Sequence, residues 1–263
     1  MKNPTLYGVT LTIRPTGGLT FRRMPSAILH ISTYPFVPPS TMSGWLRRLY
    51  FMANGLYPET TVKNPAYYVM PPEFHVLGAY PVPLENDLKG YHIHTTKRHG
   101  VRAFNHDAFS RITGSRTKHE VYQLHTWEYL FADYFQGIVL HDNPEALENM
   151  KTLVNHGCKC GKEGFAYLDT VSDVTEYSLA LTSGQPTVPA TGEELIGKPA
   201  DLFLAYRHEF DEKHKPDLNP SEFEASQVKG FVPTWLGWPD ISVELEYLTD
   251  SNSLIPAGMV EVF

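Results

Sequence analysis

The sequence contains only two cysteines, Cys158 and Cys160, which lie two positions apart. A disulfide between them would close almost no loop and would therefore stabilise little. A disulfide scaffold is excluded. Structural zinc needs four ligands at wider spacing, so these cysteines do not indicate a zinc site either. We predict no metal and no other cofactor.

Long apolar runs are also lacking. No stretch approaches the roughly 18 consecutive apolar residues of a membrane-spanning helix. Arg14, Arg22 and Arg23 interrupt the N-terminal region, where a secretory signal would need an apolar segment. The motifs His-Glu-x-x-His and Gly-x-Ser-x-Gly are absent, so hydrolase chemistry of those kinds is unsupported. We expect a cytoplasmic protein with no membrane partner.

Charge is divided unevenly along the 263 residues, whose net charge is -7. Residues 1–125 carry 14 Lys and Arg against 6 Asp and Glu, whereas residues 126–263 carry 8 against 23. Such a division is typical of a face that binds polyanions joined to an acidic body. Chance segregation of solvated surface charge would produce the same pattern.

Hydrophobic periodicity predicts two elements near the N-terminus. Apolar and polar residues alternate over 6–13, which predicts a strand with one buried face. Residues 42–53 have the spacing of an amphipathic helix, which Ser40 or Thr41 would cap and which Asn54-Gly55 would end.

Further strands are predicted at 74–80, within 121–140 and at 165–168, with a second helix from Asn143 to about residue 154. The order strand, helix, strands, helix, strand is that of an α+β, ferredoxin-like (RRM-like) sandwich. We assign residues 1–170 to this core and 171–263 to an acidic, β-rich C-terminal elaboration.

Residues 85–125 form a basic insertion in the core, with seven Lys and Arg against four Asp and Glu. We expect an exposed, thumb-like hairpin. Arg98, Arg102, Lys118 and His119 are its candidate RNA-binding residues. Lys118 and His119 could also support metal-free RNA cleavage, and phosphate contact without chemistry is the alternative.

Residues 157–164, Gly-Cys-Lys-Cys-Gly-Lys-Glu-Gly, are similar to a phosphate loop, but the glycine spacing is one residue short and Glu163 follows the lysine. The glycines would still allow close approach to a ligand, and Lys159 and Lys162 could neutralise phosphates. A simple tight turn with solvated lysines is the other interpretation.

The segment 34–46, Tyr-Pro-Phe-Val-Pro-Pro-Ser-Thr-Met-Ser-Gly-Trp-Leu, together with the strand at 6–13 and Phe21-Arg22-Arg23, resembles the N-terminus of the CRISPR-associated family five. Residues 157–164, followed by Phe165-Ala166-Tyr167, lie where that family carries its glycine-rich loop. The resemblance covers residues 1 to about 170.

This resemblance implies a non-catalytic subunit of a type I CRISPR RNA-guided surveillance complex (Cascade). Such a subunit caps the 5′ handle of the guide RNA (crRNA), contacts the backbone and large subunits, and meets target DNA through the complex, for antiviral defence or guided DNA targeting. The insertion 85–125 is the candidate thumb. By position, the residues expected to line the handle are Arg22, Arg23, Ser40, Thr41, Arg47, Arg48, Lys159 and Lys162.

One branch of that family cleaves precursor RNA with a tyrosine of the first helix and a Lys-His pair of the thumb. Tyr50, Lys118 and His119 would be the counterparts here. A metal-independent endoribonuclease is therefore the alternative to the binding subunit that we favour. A free-standing RNA-binding module is a third hypothesis.

Overall fold

The structure is a computed structural model, and it describes residues 5–23, 30–56, 69–83, 89–100, 123–191, 194, 201–206, 231–236, 242–250 and 252–263. The strands in these parts of the chain are β1 (Leu6–Pro15), β2 (His30–Ile31), β3 (His75–Pro81), β4 (Tyr91–Gly100), β5 (Gln123–Ala132), β6 (Phe135–His141), β7 (Gly157–Lys159), β8 (Phe165–Val171), β9 (Thr175–Gly184), β10 (Ala190–Thr191), β11 (Asp201–Tyr206), β12 (Phe231–Leu236), β13 (Val243–Thr249) and β14 (Leu254–Pro256). The helices are α1 (Pro39–Ala53), α2 (Pro144–Glu148), a 3-10 helix (Asn149–Leu153) and α3 (Ala257–Val262).

The central sheet is antiparallel, and its core strands follow the order β8-β1-β6-β3. In the chain, α1 lies between β1 and β3, and α2 with the 3-10 helix lies between β6 and β8. This order is compatible with a ferredoxin-like core. The predicted α+β class is confirmed.

Strand β1 has the predicted alternation, because Val9, Leu11 and Ile13 are buried while intervening residues are only partly so. Leu11 lies opposite Gly137 of β6. A Cβ atom on Gly137 would lie 2.5 Å from the terminal methyl carbon of Met42 in α1. Glycine at this position therefore lets α1 pack closely on the sheet.

Helix α1 begins earlier than expected, and the predicted cap is wrong. Its N-cap is Pro38, with no side-chain capping hydrogen bond, and Ser40 and Thr41 lie inside the first turn. The first helical residue is Pro39, and the fixed φ angle of proline suits the start of a helix, so no polar cap is required. The predicted end is confirmed: Gly55 has φ of 62° directly after the C-cap residue Asn54.

The second predicted helix is present but divided into α2 and the 3-10 helix. Asn143 caps α2, because its side-chain oxygen accepts a hydrogen bond from the Glu145 N–H at 2.9 Å. The helical segment ends at Val154, whose backbone is extended with ψ of 142°, and Asn155 follows in a left-handed conformation with φ of 66°. The predicted boundaries are therefore close to the observed ones.

Strands β4 and β5 pair antiparallel, from Tyr91 opposite Ala132 to Gly100 opposite Gln123. Strand β4 lies within the predicted basic insertion, whereas most of β5 lies beyond residue 125, its predicted end. Leu19 and Leu130 exchange backbone hydrogen bonds of 2.9 and 2.7 Å, which attach β5 to the core. The candidate residues Arg102, Lys118 and His119 lie outside the described residues.

The acidic C-terminal region continues the central sheet. Leu6 of β1 pairs with Tyr177 of β9, β9 pairs with β13, and β13 pairs with β14. A second small sheet has the order β10-β12-β11. None of the helices in the described ranges is long and apolar enough to cross a lipid bilayer.

Candidate nucleic-acid interface

A groove with a cavity of about 1170 Å³ runs along α1 and is closed by two other segments of the chain. Its lining residues, called the groove residues below, are Phe21, Arg22, Thr41, Gly44, Trp45, Arg48, Phe51, Met52, Gly55, Leu56, Lys159, Gly161 and Lys162. Four of them are cations, and none of these described lining residues is acidic.

One face of α1 forms the wall of the groove. Thr41, Trp45, Arg48 and Met52 are three or four positions apart, so they lie on the same side of the helix. Trp45 is buried, whereas Arg48 is exposed. The helix therefore supplies an apolar floor and a positive charge at its solvent side.

Residues 157–164, the segment rich in glycine and lysine, form the opposite wall. Residues 157–159, predicted as loop, are the strand β7, which pairs with β8. The chain then turns at Gly161, which has φ of 77°. The Lys162 N–H donates to the carbonyl of Thr20 at 2.8 Å, and the Thr20 N–H donates to the carbonyl of Glu163 at 3.0 Å. These bonds hold the turn against the segment that contains Arg22.

Arg22 and Arg23 are adjacent in sequence but contact different parts of the protein. The backbone of Arg22 forms an antiparallel β-bridge with that of Thr33, and Arg22 lines the groove. Successive side chains of an extended segment point to opposite sides. The guanidinium carbon of Arg23 lies 5.0 Å from the ring centroid of Phe203, so Arg23 packs on an aromatic cluster instead.

The two cysteines beside the groove carry little negative charge. Burial raises the pKa of the Cys158 thiol, and the positive charge of Arg48 opposes part of that rise. Burial also raises the pKa of Cys160, and the neighbouring Cys158 raises it further. Both thiols are free. Because they stay neutral at ordinary pH, they do not offset the cations of the groove.

Three other predicted contact residues lie outside the described lining of the groove. Ser40 lines a separate cavity of about 150 Å³ between α1 and the C-terminal residues 260–263. The guanidinium carbon of Arg47 lies 5.4 Å from the ring centroid of Tyr50 and 4.7 Å from that of Phe51. Arg98 belongs to β4, opposite His125 of β5.

The structure thus brings five predicted residues together at the groove, namely Arg22, Thr41, Arg48, Lys159 and Lys162. It places Arg23, Ser40 and Arg47 outside the described lining of the groove.

Sequence reasoning missed the apolar part of the groove, which includes Phe21, Trp45, Met52 and Leu56. Trp45 and Met52 lie three and four positions from Arg48, so they share its side of α1, and this spacing in the sequence could have identified them.

The groove combines two kinds of surface. Cations suit phosphates, and aromatic or apolar surfaces suit unstacked bases. No group of three or more His, Cys, Asp or Glu in the described ranges is arranged to hold a metal ion. The site can therefore bind a polyanion that also has apolar rings.

No protein-family model matches this chain, and no curated protein sequence matches it. Solved structures with some similarity to this chain include a CRISPR protein from Archaeoglobus fulgidus, with a TM-score of 0.46 and 11% identity over 95% of this chain and 97% of that one. They also include a chain of the Type III-B Cmr-beta bound to cognate target RNA and AMPPnP, with a TM-score of 0.49 and 12% identity over 89% of this chain and 86% of that one. A chain of the Type III-B Cmr-beta bound to cognate target RNA has a TM-score of 0.45 and 13% identity over the same shares, 89% and 86%. These values are too low to assign a family or a function.

Proposed function

We propose that this chain is a CRISPR-associated RNA-binding protein that holds the 5′ handle of a guide RNA in the groove. One observation carries the proposal: segments distant in sequence place Arg22, Arg48, Lys159 and Lys162 around one apolar-floored groove. A single-stranded RNA handle has the matching chemistry, with phosphates for the cations and splayed bases for the apolar floor.

The sequence resemblance to CRISPR-associated family five supports a more specific assignment. Two of the segments that carry it, 34–46 and 157–167, include the first part of α1 and the turn that faces it across the groove. We therefore propose a handle-capping subunit of a type I surveillance complex with an RRM-like core. Its partners would be the backbone and large subunits, with target DNA met through the complex, in antiviral defence or guided DNA targeting.

We further propose that the chain binds RNA without cleaving it. The endoribonuclease alternative requires Tyr50 at the RNA. The Tyr50 ring packs under Arg47 and is not among the described groove residues. The neutral thiols of Cys158 and Cys160 are poor nucleophiles at ordinary pH, so they add no catalytic group.

The test is a binding and cleavage assay with 5′-labelled repeat RNA in EDTA. If four cations each neutralise one phosphate, the affinity for single-stranded RNA should fall about 50-fold between 50 and 200 mM salt, from a slope of about -0.7 per contact. A scrambled RNA of equal length is the matched control and should bind more weakly. On a denaturing gel, the RNA should stay intact.

Two results would contradict this proposal. Cleavage of the repeat RNA at one position would make the chain a processing endoribonuclease and would direct attention to Tyr50, Lys118 and His119. An affinity that does not change with salt would remove the phosphate contacts from the argument.

A further inference from the structure

Strands β9 and β13 form a two-stranded ladder with an exposed apolar centre. Leu179 and Leu181 of β9 are 49% and 69% exposed. In the ladder, Leu179 lies opposite Leu248, and Leu181 lies opposite Glu246. Residues directly opposite each other point to the same face of a sheet. These side chains therefore form one surface, which we call the β9–β13 face.

The backbone under this face is firmly held. Most of the alternate residues of the same strands are buried or partly buried. Tyr247 is inaccessible, lies opposite Ala180, and donates its hydroxyl to the carbonyl of Val243 at 2.9 Å. The pairing runs without interruption from Ser178 to Gly184. The exposed leucines therefore belong to a regular sheet and not to a frayed strand end.

The charge of the face has one sign. Glu244 and Glu246 are exposed on β13, opposite Ser183 and Leu181 of β9. Neither strand contains a lysine or arginine. A leucine pair bordered by glutamates repels nucleic acid, and it also disfavours pairing with the same face of a second copy, which would bring the glutamates together.

We propose that the β9–β13 face is a docking surface for a protein whose contacting surface combines an apolar centre with lysine or arginine. The exposed leucines provide apolar area, and the glutamates select a basic partner and orient it. This inference does not depend on the proposed RNA-binding role, because the groove and the β9–β13 face share no described residue.

The experiment uses the full chain and three fluorescent seven-residue peptides, which alternate Leu with Lys, Leu with Glu, or Ser with Lys. Fluorescence anisotropy should show that the Leu/Lys peptide binds at least about tenfold more tightly than the others, because only it matches both charge and apolar area. Hydrogen exchange should show protection by this peptide at 176–184 and 243–249.

Variants then assign the binding to this face. L179S/L181S should weaken binding of the Leu/Lys peptide at least about tenfold. F165S removes another exposed apolar side chain, on β8, and should leave this binding unchanged. E244K/E246K should reverse the preference toward the Leu/Glu peptide.

Three outcomes would overturn the inference. Equal binding of the Leu/Lys and Ser/Lys peptides would show charge attraction alone. Protection elsewhere in the chain would place the site on another surface. Self-association that L179S/L181S abolishes in sedimentation would make a second copy the occupant.

Discussion

The backbone N–H of Lys162 donates to the carbonyl oxygen of Thr20 at 2.8 Å. This bond joins the glycine-lysine turn to the strand segment that carries Arg22, although the two lie far apart in the sequence. Both cations line the groove as a result. Because backbone hydrogen bonds already hold the two segments together, a ligand of the groove would need to order less of the chain when it binds.

Gly161→Ala tests this arrangement. Gly161 has φ of 77°, and an added Cβ would lie 2.7 Å from the carbonyl oxygen of Thr20 and 2.7 Å from a ring carbon of Phe21. We expect a loss of about 1–3 kcal/mol in the free energy of unfolding. Displacement of Lys162 should also weaken RNA binding. Urea denaturation and fluorescence anisotropy measure the two effects.

Gly17→Ala is the matched control, because a Cβ there meets no atom within 4 Å. Its stability should stay within about 0.5 kcal/mol of the wild type. Equal stability of the Gly161 and Gly17 variants would contradict the close contact at the turn.

Arg48→Ala and Arg47→Ala should differ although the residues are neighbours on α1. Arg48 lines the groove, whereas Arg47 packs over the rings of Tyr50 and Phe51. We expect Arg48→Ala to reduce the salt slope of RNA binding by about 0.7, the value of one phosphate contact to a single strand. Arg47→Ala should leave the slope unchanged. A titration from 50 to 200 mM salt decides between them, and equal slopes for both variants would argue against the assignment.

Helix capping provides a prediction on stability. Asn143→Ala removes the bond that its side chain accepts from the Glu145 N–H, so the protein should lose about 1 kcal/mol. Ser40→Ala should cost less than about 0.5 kcal/mol, because Ser40 lies within the first turn of α1 and Pro38 is the N-cap. Thermal or urea denaturation of the two variants tests this, and a larger loss for Ser40→Ala would contradict the observed helix start.

His75 should make the protein less stable in mild acid. Burial lowers the pKa of His75, and the nearby His141 lowers it further, while a backbone hydrogen bond with Val260 and the charge of Asp142 act in the opposite direction. The unfolded chain binds a proton at His75 near its ordinary pKa of 6.5, but the folded protein does not until a lower pH. Stability should therefore decrease as pH falls below about 6.5.

Melting temperatures between pH 7.5 and 5.5 measure this effect. His75→Gln should make the decrease smaller, because it removes the group that binds a proton on unfolding. His94→Gln replaces an exposed histidine on β4 and should keep the wild-type decrease. The same decrease in all three proteins would exclude His75 as its source.

Elements defined by nearby residues were predictable from the sequence. The alternation at 6–13 and the helical spacing at 42–53 depend on neighbouring side chains, and both predictions are confirmed by β1 and α1. Strands β4 and β5 pair antiparallel as the arms of a hairpin would, but most of β5 lies beyond residue 125, the predicted end of the insertion. The capping prediction was wrong. Serine and threonine are common N-cap residues, but here Ser40 and Thr41 already lie inside the first turn of α1. The preceding prolines allow the helix to begin earlier.

The candidate site was only partly predictable. Composition identified a basic N-terminal half and a turn rich in glycine and lysine, because charge and glycine content are properties of the residues themselves. Composition could not predict that Arg22 lines the groove and that Arg23 does not. That choice depends on the pairing of Arg22 with Thr33, which sets the side of the chain to which each arginine points.

The sequence by itself determined the fold class, the positions of the core strands and helices, and the types of charge available for binding. Only the tertiary structure decided which charges meet. Arg22, Arg48 and Lys162 share one groove because backbone hydrogen bonds between Thr20 and residues 162–163 bring distant segments together beside α1. These hydrogen bonds join main-chain atoms, which all residues have in common. The pattern of side chains in the sequence therefore does not predict where such bonds form.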